Sequence, residues 1–223
     1  MMYLLIFGGI ALLSYVVQSN LQRNFKEYSK EYLSNGMTGR EVAEKMLRDH
    51  GIYNVKVIST PGQLTDHYNP SNLTVNLSES VYNERSVAAA AVAAHECGHA
   101  VQHAVHYAPL KMRSALVPVV SFASNWVQWV LLFGVLLVGV TPSLLYVGIA
   151  LFACTTVFAF ITLPVEVDAS RRATAWLQRA GITTPHNHEM AVKALHSAAH
   201  TYVVAALSSL ATLAYYVMMA RKK

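Results

Sequence analysis

The sequence predicts a mainly α-helical, polytopic membrane protein with about four transmembrane helices and one small α+β region. Three observations carry that expectation. The 223 residues are 54% hydrophobic and only 13% charged, about half the charged share of an ordinary soluble domain, and mean hydropathy is +0.33. No charged residue falls between Arg113 and Glu166, an interval long enough for two spans of about 20 residues each. The polar stretch ahead of that interval combines strand-like alternation with an alanine-rich helical pattern.

In chain order, residues 1–22 are apolar and uncharged up to Arg23. They lack the basic leader and small-residue cleavage site of a signal peptide, so they read as a retained transmembrane anchor. Residues 23–113 form the main polar region. There Thr38-Gly39-Arg40-Glu41 is a capping box ahead of apolar Val42, Met46 and Leu47, closed by Gly51. Tyr53 to Ser59 and Leu73 to Leu77 alternate as strands, with turn-rich 61–72 between them. Two readings of these strands stand side by side: an edge that pairs with the backbone of an extended peptide, and a two-stranded ribbon that packs on the following helix.

Residues 114–164 read as a transmembrane hairpin turning at Thr141-Pro142-Ser143, with Asn125 and Gln128 as interhelical hydrogen-bond partners. Pro164 is expected to end the second span. Residues 165–200 then hold one helix closed by Gly181 and a second that starts at Thr184-Pro185 and leads into a last span within 201–223. The two cysteines, Cys97 and Cys154, give no disulfide framework. The net charge of +5 fits membrane orientation rather than a nucleic-acid partner. Fourteen of the 17 lysines and arginines lie in 23–113 and 171–193, which four spans put on one side. The positive-inside rule makes that side cytoplasmic, and the closing Arg221-Lys222-Lys223 runs against it.

The chemistry centres on His95-Glu96-Cys97-Gly98-His99, inside the alanine-rich run from Ser86 to Ala104. On a helix, positions i and i+4 share a face, so both imidazoles reach one metal ion. A catalytic zinc takes three protein ligands and keeps one position open. Glu166, the first carboxylate after the uncharged interval, is the candidate third ligand, against a plainer role as a carboxylate at a helix N-terminus. Asp168 fits that plainer role. His196 and His200 repeat the i, i+4 spacing without a glutamate between them, a weaker metal pair. His200 and Tyr202 stand near the membrane edge, where an oxyanion-stabilising group can sit and where an aromatic belt is also expected. The longer H-E-x-x-H-x-x-G-x-x-H form is excluded by Gln102 and Val105. An intramembrane site is disfavoured because Glu84-Arg85 and the polar QHAVH flank the motif.

The chain resembles the YugP-type neutral zinc metallopeptidases of bacteria. The resemblance is carried by LTDHYNP (64–70), LSESVYNERSVAAAAVAAHECGHAVQHA (77–104), LPVEVDASRRA (163–173) and AAHTYVVAA (198–206). More distantly it is similar to HtpX-type and CAAX prenyl proteases. The resemblance implies a zincin-like, gluzincin-type catalytic region with one Zn(2+) per chain on His95, His99 and Glu166, and Glu96 as general base. Those distant relatives carry an aspartate four residues after the ligand glutamate, where this chain has Ser170. Either Asp168 or another group then orients the histidines, or that support is weaker.

The expected function is zinc-dependent endopeptidase action on polypeptides at the membrane surface, in membrane-protein quality control or processing. The protein is expected in the cell membrane, its site on the cytoplasmic side, with the lipid bilayer and a membrane-associated polypeptide as partners and oligomer formation left open. The alternative is a non-catalytic zinc-binding membrane protein. Glu96 separates the two, because a site that only binds zinc has no need of it.

Overall fold

The computed structural model describes residues 2–221, with side chains from residue 7 onward. Helix α1 (Met2–Tyr28) covers the expected anchor except Met1, which lies outside the described residues. Helix α2 (Gly39–Asp49) starts at the capping box read from the sequence. The Thr38 side chain accepts from the Glu41 N–H, and the Glu41 carboxylate accepts from the Thr38 N–H at 2.8 Å. Its buried face, Val42, Ala43, Met46 and Leu47, joins the core of the polar region.

Three short strands follow: β1 (Lys56–Thr60), β2 (His67–Asn69) and β3 (Thr74–Ser78). The sheet order is β1-β3-β2, with β1 parallel and β2 antiparallel to β3. This corrects the two-stranded ribbon. The turn-rich segment contains a strand of three residues, too short for alternation to show in the sequence. Asp66 anchors it by accepting the Ser78 N–H at 2.7 Å.

A single turn of helix, α3 (Glu79–Tyr82), leads to the motif helix α4 (Val87–Ala104). Ser86 caps α4, its hydroxyl accepting from the Ala89 N–H at 3.2 Å. The run Ala88–Ala91 with Ala93 and Ala94 is buried. These small side chains let α2, α6 and α7 close on α4 from several directions.

Helices α5 (Ala108–Leu136), α6 (Pro142–Arg179) and α7 (Pro185–Arg221) are each long and apolar enough to cross a membrane. α5 and α6 form the expected hairpin and pack where a Cβ on Gly134 would lie 2.8 Å from Leu145 Cα. Asn125 and Gln128 do not bridge helices. Both are exposed, and a polar link between the long helices comes instead from Thr156 Oγ1 to Ser209 Oγ at 2.7 Å. Pro164 does not end a helix: α6 continues through it for 38 residues in all. Its missing N–H withdraws one rung of the ladder, and packed spans tolerate such a gap. One helix therefore contains both a span and the segment that carries Glu166.

α1 packs along α7, with Phe7 edge-on to Tyr215 at 5.5 Å and Asn24 Nδ2 donating to Ser197 Oγ at 3.2 Å. α4 meets α6 at Gly98, where a Cβ would lie 2.7 Å from the Ala169 carbonyl oxygen. Gly98→Ala should therefore destabilise the chain by about 1–3 kcal/mol despite alanine's better helix propensity. Thermal unfolding in detergent would show a lowered midpoint, and an unchanged or raised midpoint would contradict the contact.

Candidate metal centre

His95 and His99 stand one turn apart on α4, their rings 4.8 Å apart and nearly perpendicular. Glu166, buried on α6, brings Oε2 to 3.2 Å from His95 Nε2 and 3.6 Å from His99 Nε2. The three ligating atoms lie within 4.8 Å of one another and could hold a metal ion. Zinc bonds of 2.0–2.1 Å in tetrahedral array place neighbouring ligand atoms about 3.3 Å apart, close to both carboxylate–imidazole separations. Two imidazole nitrogens and one carboxylate oxygen make a three-ligand set that leaves one position open.

Both ring nitrogens that face away from this cluster are engaged. The Gln102 amide nitrogen donates to the Val165 carbonyl at 2.8 Å and to Asp168 Oδ2 at 2.9 Å. Its oxygen is thereby turned to His99 Nδ1, 3.0 Å away. Because that oxygen only accepts, Nδ1 carries the proton and His99 Nε2 presents a lone pair to the cluster. Arg172 Nε holds Asp168 at 2.5 Å. On the other histidine, Ser170 Oγ lies 3.1 Å from His95 Nδ1. Ser170 thus touches His95, while Asp168 reaches His99 through Gln102.

Electrostatics bind the cluster further. Burial alone would raise the Glu166 pKa, but the two histidines outweigh it and hold the carboxyl well below the usual carboxylate range. Burial alone would lower His99, yet contact with Glu166 and the charge of Glu96 raise it above its ordinary 6.5. Arg113 Nη1 approaches the other oxygen of Glu166, Oε1, at 3.3 Å. The carboxylate is shared, one oxygen facing the imidazoles and one facing a cation.

Glu96 is also buried, and its Oε2 accepts the Tyr68 N–H from β2 at 3.0 Å. The Tyr68 hydroxyl in turn meets His103 Nδ1 at 2.7 Å, fastening β2 to α4 at a second point. Two cavities, of about 410 and about 460 Å³, flank the cluster and share Asp66, His95, Glu96, Glu166 and Tyr202. Tyr202 thus faces the cluster. His200 does not: two residues along a helix is a rotation of about 200°, and it is exposed in a groove with Tyr15, Asn20 and Arg23. His196 is exposed as well.

Three contributors were missed in the sequence: Gln102, Arg113 and the backbone of Tyr68. Two had a visible signal. Gln102 lies one turn beyond His99, and Arg113 is the last charge before the uncharged interval that Glu166 closes. A hairpin returns its ends to each other, so those two bracketing charges were placed to meet.

Gln102→Leu would strand the His99 Nδ1–H, the Val165 carbonyl and one Asp168 contact. Zinc affinity measured by chelator competition should fall about 10- to 100-fold, and unchanged affinity would remove Gln102 from the support of His99. Zinc uptake should also weaken as pH falls. A raised His99 pKa keeps its competing proton bound at higher pH than an ordinary histidine, whereas Glu166 offers no proton competition until far more acidic conditions. Titrations from about pH 8 down to about pH 5.5 should show affinity dropping throughout the lower half, and a flat profile would contradict the coupling.

Two comparisons with known proteins bear on the family of this chain. The family model described as "Putative neutral zinc metallopeptidase" matches residues 3–221. The chain is 43% identical over 218 residues to "Putative membrane protease YugP" of Bacillus subtilis (strain 168), covering 97% of this chain and 96% of that protein. No solved structure matches the chain. A family model spanning nearly every residue, together with a full-length relative at that identity, means that the chain belongs to the neutral zinc metallopeptidase family.

Proposed function

We propose that the protein is a membrane-embedded, zinc-dependent endopeptidase in which His95, His99 and Glu166 hold one zinc ion and Glu96 is the general base. The observation that carries this reading is the position of Glu96. Its carboxylate sits on the same helix as both histidines, lines both cavities and is aimed by a backbone N–H. Bound zinc supplies Lewis-acid chemistry, polarising a carbonyl and lowering the pKa of water toward ~7. Glu96 takes a proton from the attacking water as the new C–O bond forms at the scissile carbonyl. It then delivers that proton to the departing amide nitrogen as the C–N bond breaks. Tyr202, facing the same space, donates its hydroxyl to the carbonyl oxygen as charge develops there. β2 has one side paired with β3 and the other facing the cleft, which supports an extended substrate lying along it.

In this reading α1 spans the membrane beside α7, giving four spans with α5 and α6. The sheet, α2 and α4 lie on the cytoplasmic face of the cell membrane, where the lysines and arginines concentrate. Substrates are polypeptides reaching that surface, for processing or quality control.

The test is chelator-sensitive cleavage of an unfolded protein such as casein by the detergent-solubilised chain, with zinc content measured alongside. Glu96→Gln should keep its zinc and lose about 10²- to 10⁴-fold in kcat. Zinc in both proteins with cleavage by neither would favour a zinc-binding protein without catalysis. Equal cleavage by both would remove Glu96 from the base role.

A further inference from the structure

We propose that the smaller of the two cavities is a specificity pocket for one large apolar side chain of the substrate, next to the scissile bond. The inference rests on the peptidase reading above and names which polypeptides that site takes.

Two helical stripes face each other across this cavity. α1 contributes Gln18, Leu21, Gln22 and Phe25, and α7 contributes Leu195, Ala198, Ala199 and Tyr202. Each set follows the i, i+3, i+4, i+7 spacing of a single helix face. Val92 of α4 lies between them, one turn before His95. The space exists because α7 presents alanines at 198 and 199, where larger residues would fill it. At about 410 Å³ the cavity falls within the range of pockets that enclose small ligands.

Charge narrows the occupant. Among the described residues, every charged residue lining this cavity, Asp66, Glu96 and Glu166, is a carboxylate. Acidic side chains are therefore repelled. Asp66 is held by the Ser78 N–H and hydroxyl, and Glu166 by the histidines, so both carboxylates stay ionised at the rim while the helical walls are mainly apolar. The other cavity differs in kind, since Arg113 lines it beside Ser114. Along the chain, Gln63, Leu64 and Asp66 border the apolar cavity, while His67, Tyr68 and Ser71 border the other. A strand laid along this segment passes from one cavity to the other over Glu96. One flanking residue then falls in the apolar pocket.

The test uses quenched-fluorescent peptides with Leu, Phe, Ala, Glu or Lys on either side of the scissile bond, cleaved by the full-length, zinc-loaded chain in detergent. On one side of the bond, kcat/KM should be about 10- to 200-fold higher for Leu or Phe than for Ala, with Glu worst. Ala198→Phe should bring the Leu-to-Ala ratio close to one. Phe25→Ala, which enlarges the opposite wall, should shift preference from Leu toward Phe. Equal rates for all five residues, or an unchanged ratio in Ala198→Phe with zinc content retained, would overturn the pocket. If wild type cleaves no peptide, binding of hydroxamate-capped Leu and Ala peptides to the zinc-loaded chain decides the question separately. Tighter binding of the Leu probe, lost in Ala198→Phe, upholds the pocket while the peptidase reading fails, and equal binding overturns both.

Discussion

The site depends on α4 and α6 approaching until backbone meets backbone at Gly98 and Ala169. Gly98 lies between the two histidines, so the closest approach falls at the metal-facing turn of the motif helix. Within six residues of α6, Val165 accepts from Gln102, Glu166 faces both imidazoles, Asp168 steadies Gln102 and Ser170 reaches His95. No one of these contacts fixes the others, but the helix crossing fixes all of them together. A side chain at 98 would separate the whole set at once.

The arrangement places a carboxylate and one imidazole out of water, with the His95 ring half-buried beside them, which is costly unless each polar atom is matched. Here the matching is thorough: among the described residues, no buried side-chain nitrogen or oxygen lacks a hydrogen-bond partner. Gln102 is the hinge of that satisfaction. It is fully buried, uses its amide nitrogen and its oxygen, and ties two points on α6, Val165 and Asp168, to one imidazole on α4. A neutral amide relays the influence of Asp168 without adding a second buried carboxylate at the ligand itself.

The membrane part and the site are one mechanical unit. α6 passes unbroken from the apolar hairpin into the segment that bears Glu166, and Arg113 at the start of α5 faces that same carboxylate across the mouth of the hairpin. α1 and α7, packed against each other, wall the apolar cavity beside the histidines. These long helices therefore supply a ligand candidate, its counter-charge and one side of the cleft.

Local chemistry was legible in the sequence. The histidine pair and Glu96 followed from helix spacing, the caps of α2 and α4 from Thr38 and Ser86, and the hairpin from the absence of charge. Glu166 was found because a lone carboxylate ending an uncharged interval stands out. Pair-dependent features were not legible: the third strand, the run of α6 through Pro164, the relay through Gln102 and the opposite facing of His200 and Tyr202. The strand was too short to show a period, and Pro164 carries the same local signal whether a helix ends there or continues. By itself the sequence determined which residues can ligate, cap or span, because those properties depend on side-chain type and on neighbours within about two helical turns. The tertiary structure alone decided which of them meet, because a hydrogen bond between residues 102 and 165 depends on the approach of two helices that no local pattern records.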